Sequence, residues 1–209
     1  MVLRRIATMG AALLVAGALA VGAAPTASAH SSTSGNRSLA AVLAKDGSGF
    51  DRSWNDFDIV DNAVQAVLKA KPDSAVKVLA DGKTRVTAFL PTDRAFQLLV
   101  KDLTGTTYRS EKSVFTAVAG LGIDTVEAVL LYHVVPGATI TYKQALKANG
   151  ADLTMASGGT VRVKVRYVFI KLVDADPDDA NPYVIKADIN KGNKQIAHAI
   201  DRVLRPVNL

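Results

Sequence analysis

The feature that most constrains this chain is a change in the spacing of its apolar residues part-way along. From Phe57 to Leu68 the residues Phe57, Val60, Val64, Val67 and Leu68 recur at three and four, the period of one helical face. From Thr160 to Arg166 the period is two: Val161, Val163 and Val165 point one way, Arg162, Lys164 and Arg166 the other. A helical first part followed by a sheet-forming second part makes this an α+β chain.

The residues between these segments fit the same division. Lys71-Pro72 closes the first helix, and Asp81-Gly82-Lys83 turns into a buried strand over Arg85 to Leu90, which Pro91 ends. A helix follows at once, with Thr92 or Asp93 as its cap and Ala95, Phe96, Leu98 and Leu99 facing inward. Further helical stretches run from Glu111 to Ala119 and from Asp124 to His133, and Asp124 and Glu127 have the spacing of a capping box. Val134-Val135-Pro136-Gly137 reads as a turn, Thr141 caps a short helix to Lys147, and Asn149-Gly150 stops it. In the second part Ser157-Gly158-Gly159 supplies a hairpin turn. Tyr167 to Val173, Tyr183 to Ile189 and Ile196 to Leu204 are further strands, with a loop from Asp174 to Pro182.

The N-terminus sets the expected compartment. Arg4 and Arg5 precede an apolar run from Ala11 to Ala24 and a small-residue stop at Ala27-Ser28-Ala29, the layout of a secretory signal. That run is shorter than the roughly 20 residues that span a bilayer. Residues 1–29 are therefore read as a signal peptide whose removal exposes His30, residues 30–38 as a flexible Ser-rich lead-in, and residues 39–209 as one folded domain. No later segment is apolar enough to cross a membrane, so the mature protein is expected to be soluble and monomeric, outside the cell or at its wall. It has no cysteine, and its stability must come from the core alone, which about 180 residues can supply. Losing Arg4 and Arg5 lowers the net charge from +6 to +4. That density, with aromatic residues scattered along the chain, argues against nucleic acid.

Three separated segments carry the identity. Val86-Thr87-Ala88-Phe89-Leu90-Pro91-Thr92-Asp93-Arg94-Ala95-Phe96 is a strand, a Pro-Thr-Asp corner and a helix start. Leu130-Leu131-Tyr132-His133-Val134-Val135-Pro136-Gly137 is a central Tyr-His box, and Ile196-Ala197-His198-Ala199-Ile200-Asp201-Arg202-Val203-Leu204 is a closing box. In type, order and separation they resemble the fasciclin domain family over residues 39 to 209. The resemblance implies helices packed on a twisted β-sandwich or wedge. It also implies a secreted or surface module of adhesion, with no shared catalytic activity and no cofactor. The partner would be an extracellular protein or a cell-wall glycan. The family's adhesive positions correspond here to Tyr132, His133, Asp188 and Ile189.

The boxes also have a physical reading. Thr92 or Asp93 takes up free helix N–H groups, and His198 and Asp201, set among apolar residues, must be paired if buried. His198 is expected to bond to backbone or to the opening box and lock the two together. The alternative is an extracellular polymer-acting hydrolase using His198 with Asp201 or Asp93, which lacks a nucleophile elbow, a thiol or any third component. Histidines at 30, 133 and 198 have no metal-ligand spacing, so no metal is assigned. Asp174-Ala175-Asp176-Pro177-Asp178-Asp179 lacks the glycine and glutamate of a calcium loop and reads as a solvated acidic loop. Arg162, Lys164 and Arg166, with Lys171, form a basic strand face that discourages edge pairing or holds an anionic wall polymer.

Overall fold

A computed structural model describes residues 34–45, 47 and 49–208; the expected signal peptide and the start of the Ser-rich lead-in lie outside the described residues. Six α-helices and a 3-10 helix (Ala75–Ala80) occur among these, the α-helices being α1 (Leu39–Leu43), α2 (Asp58–Ala70), α3 (Asp93–Thr104), α4 (Glu111–Ala119), α5 (Ile123–Tyr132) and α6 (Tyr142–Ala145). The strands are β1 (Val86–Pro91), β2 (Val134–Pro136), β3 (Asp152–Thr154), β4 (Thr160–Arg166), β5 (Phe169–Val173), β6 (Val184–Ile189) and β7 (Gln195–Ile200).

They form two sheets. A mixed sheet runs β2-β1-β7-β6, and a three-stranded antiparallel sheet runs β3-β4-β5. β1 and β7 pair in parallel from Val86 opposite Gln195 to Pro91 opposite Ile200. One core lies between the helices and the mixed sheet and takes Val86, Ala88, Leu90, Val134 and Ala197. A second core lies between the sheets, where Phe89, Val135 and Ile200 meet Val161, Val163, Ile170 and Leu172. The central strands are thus covered on both faces, which is why β1 and β7 are buried at every position, whereas β4 alternates as its period requires. The result is the expected α+β arrangement of helices on a β-sandwich.

Some local expectations change. β2 occupies what reads as a turn, because Val134 and Val135 pair antiparallel with Ala88 and Thr87 before Gly137 bends the chain. Asp124 and Glu127 form no capping box: α5 starts after Gly122 at φ +89° without a side-chain cap, and both carboxylates converge on Lys71 instead. The Thr141 cap is present, with Gln144 completing a capping box. The end of the Ser-rich lead-in is packed rather than loose. The Gly35 N–H donates to the Gly192 carbonyl at 2.8 Å, Asn190 Nδ2 donates to the Arg37 carbonyl at 2.8 Å, and the Leu39 N–H donates to Gln195 Oε1 at 2.8 Å. A Cβ on Gly35 would stand 2.3 Å from Asn193 Oδ1, so a larger residue would displace the side chain that accepts the Arg37 N–H at 3.0 Å.

Candidate functional site

The Pro-Thr-Asp corner lies beside the final strand. The Thr92 N–H donates to the Ile200 carbonyl at 3.2 Å, while Thr92 Oγ1 accepts from the Ala95 N–H at 3.4 Å and caps α3. Asp93 caps a different helix. Its carboxylate accepts from the Asp58 N–H at 3.2 Å and the Ile59 N–H at 2.9 Å, serving α2, which has no side-chain cap of its own. Burial, with a hydrogen bond that the protonated Asp93 carboxyl donates to the neighbouring Asp56 carboxylate, pushes the Asp93 carboxyl up to about 8.

His198 works as a fastening. Its Nε2–H donates to the Ile140 carbonyl at 2.8 Å and its Nδ1 accepts from the Asp188 N–H at 3.3 Å, a pattern that requires the neutral ring. Burial holds its pKa below the ordinary imidazole value, against the opposing pull of the Ile140 carbonyl and the Asp188 charge. Both nitrogens are engaged by backbone groups. Asp201 accepts from the Tyr183 N–H at 2.7 Å, so His198 is not assembled with Asp201 or Asp93 into an acid–base pair.

His133 mirrors this arrangement with the other tautomer. Its Nδ1–H donates to the Val129 carbonyl at 2.7 Å, and its Nε2 accepts from the Leu204 N–H at 2.9 Å. Burial pulls its pKa down to about 4, so the imidazole at the end of α5 is neutral and not the dipole-stabilised cation its position suggests. Tyr132 is 1 % exposed, and its hydroxyl donates to the Thr160 carbonyl at 2.8 Å. Tyr132 also contributes to the lining of an open cleft of about 770 Å³ shared with Pro206 and Val207.

The other two resemblance-derived positions lie on the mixed sheet. Asp188 adopts φ +58°, accepts from the Tyr142 N–H at 2.7 Å and pairs with Lys191 at 2.9 Å. Partial burial opposes its ionisation, but the Tyr142 N–H and the Lys191 ammonium together hold its carboxyl below the usual range. Ile189 packs half-buried against the helical core. Of the four positions, Tyr132 and His133 are interior, and Asp188 is engaged mainly with the chain itself.

The basic strand face is exposed, but its charges differ in availability. Arg162 makes a two-point ion pair with Asp152 at 2.7 and 2.8 Å. Lys164 stands opposite Lys171, and Arg166 opposite Phe169. No ion pair involves Lys164, Arg166 or Lys171 among the described residues. Three apolar side chains cluster at the turn: Tyr167 is 84 %, Val168 60 % and Phe169 61 % exposed. The Arg166 guanidinium lies 5.7 Å from the Tyr167 ring centre and Lys171 Nζ lies 5.8 Å from that of Tyr183. Sequence reasoning began this strand at Tyr167, whereas β5 begins at Phe169 and residues 167–168 form the turn. The missed signal was that two antiparallel strands this close in the chain need a turn, which Tyr167 supplies at φ +57°.

The loop from Asp174 to Pro182 is not simply solvated. Arg205, nearly buried, lies 3.3 Å from Asp176 and 3.0 Å from Asp179, and its own N–H donates to Asp174 Oδ2 at 2.9 Å. These carboxylates tie down the C-terminal segment.

Helices on one side of a mixed sheet, a second sheet on the other and imidazoles bridging distant segments define the class of fold. The fasciclin domain family matches residues 60–206, and the chain belongs to that family. A solved structure with the same fold is the FAS1 domain pair of the insect cell adhesion molecule Fasciclin I. It aligns at 18 % identity and a TM-score of 0.51, over 72 % of this chain and 48 % of that one, so this chain spans about half its length. No curated protein matches the chain.

Proposed function

We propose that this chain is a non-catalytic extracellular adhesion module whose contact surface, the outer face of the β4–β5 hairpin, holds an acidic glycan of the cell surface or wall. The supporting observation is the interleaving of three cations that form no ion pair among the described residues, Lys164, Arg166 and Lys171, with the exposed rings of Tyr167, Phe169 and Tyr183. Flat aromatic rings pack against the C–H faces of sugars, and the cations meet their carboxylate or phosphate groups. In this reading the Tyr132, His133, Asp188 and Ile189 group acts from within by holding the sandwich rigid, and the leader over residues 1–29 directs export. Family membership, with a fold neighbour from a cell adhesion molecule, favours adhesion over hydrolysis.

Retention on immobilised polygalacturonate tests the proposal. Binding should weaken steeply with salt and fall about tenfold in Lys164→Glu/Arg166→Glu, with a smaller loss in Phe169→Ala. Retention unchanged in the charge-reversed variant would remove the hairpin as the surface. Binding to a surface protein that ignores salt yet depends on Phe169 would replace the glycan with a protein partner.

A further inference from the structure

We propose that Asp51, Asp56 and Glu111 form a calcium site that ties the segment before α2 to the start of α4. A carboxylate oxygen from each of the three lies within 4.8 Å of the other two, and Asp56 also belongs to a second such group with Asp58 and Asp93. A cluster of acids alone would mean little, because exposed carboxylates tolerate one another in water. Here Glu111 is 1 % exposed, and both of its side-chain oxygens are buried with no hydrogen-bond partner. The Asp51 N–H lies close to Glu111 but outside hydrogen-bonding geometry. Asp56 Oδ1 is likewise buried and unpartnered. No arginine or lysine pairs with Asp51, Asp56, Asp93 or Glu111 among the described residues.

Burying carboxylate oxygens without donors is costly, and gathering them at one point adds mutual repulsion. A bound cation removes both penalties at once. The ligand set contains only oxygen, which selects a hard ion. Calcium takes ligands at about 2.3–2.6 Å, so oxygens up to about 5 Å apart fit one sphere, whereas magnesium needs a tighter shell near 2.0–2.1 Å. Asp51 is exposed and provides the entry from solvent, with water completing the coordination. Asp93 is not one of the three ligands, and its oxygens already accept from the Asp58 and Ile59 N–H groups. The ion would join two parts of the chain that otherwise meet nearby through the Phe50 and Phe115 rings, 5.4 Å apart.

Trp54, the chain's single tryptophan, lies two residues from Asp56 and makes the site observable. Chelator-treated protein titrated with terbium should show tryptophan-sensitised emission, displaced by calcium and far less by magnesium. Calcium should also raise the melting temperature. Glu111→Gln and, separately, Asp56→Asn should each weaken both responses by about a hundredfold, because the site's charge sets its affinity. Glu111→Gln should nonetheless melt no lower than the parent without metal, since it removes an uncompensated buried charge. Asp178→Asn, in the acidic loop, should change nothing. Absence of sensitised emission and of any calcium-dependent melting shift at millimolar metal would overturn the site. So would responses that survive both variants, or that vanish in Asp178→Asn instead.

Discussion

β7 and β4 carry nearly the same number of residues but are held in place by different means. In β4 (TVRVKVR) polarity alternates, and a slip of one residue would turn three cations into the core and three valines into water. In β7 (QIAHAI) every position is buried, so alternation gives no such instruction. Its register depends on polar groups: Gln195 receives the Leu39 N–H and donates to the Val78 and Asp81 carbonyls, and His198 spans from the Ile140 carbonyl to the Asp188 N–H. A sheet covered on both faces thus uses a few satisfied polar side chains where an exposed sheet uses its hydrophobic pattern.

The largest test of this contrast is to cut one side chain from each sheet. Ile196→Ala in β7 should cost roughly 2–5 kcal/mol in urea unfolding, because the surrounding layers cannot close on the void. Arg162→Ala on the outer face of β4 should cost less than about 1 kcal/mol, since its ion pair is exposed. Equal costs would erase the distinction.

A second probe uses pH to ask how dry the interior is. The folded protein holds His133 near 4, below the unfolded value of about 6.5. Between those values the unfolded chain takes up a proton that the folded chain refuses, so this contribution is complete above 6.5 and is lost as pH falls towards 4. The loss amounts to about 3 kcal/mol. It should be read as the difference in pH dependence between the parent and His133→Gln, and identical profiles would mean the ring is wet.

The smallest effect has an informative sign. Lys164 directly opposes Lys171 across the β4–β5 pair, an arrangement that disfavours folding. Lys164→Glu should therefore raise stability by about 0.2–1 kcal/mol while weakening retention on acidic polymer. Stability gained without loss of binding would leave the cations with no functional role.

The sequence made the elements with a clear period legible: α2, α4 and β4 fall close to where spacing places them, and the three boxes indicate the family. Other features depend on contacts across the chain that spacing cannot express. Asp93 sits where a residue would cap its own helix, yet it serves α2, which begins 35 residues earlier. Asp124 and Glu127 have capping-box spacing, but Lys71 from another helix draws them away. Tyr132 and His133 are identified by their box but not by their burial, and burial changes what they can do. The carboxylates of Asp51, Asp56 and Glu111 are separated in sequence and come together only when α4 docks beside α2.

The parallel pairing of β1 with β7 joins residues 109 positions apart, from Val86 with Gln195 to Pro91 with Ile200. A ribosome releasing this chain from its N-terminus therefore delivers β1 more than a hundred residues before β7. Until then β1 has only the short β2 beside it, and the helices have only part of a surface on which to settle. Closing so long a loop is entropically costly and slow, so the mixed sheet is completed late in folding and the helices gain their full docking surface only then.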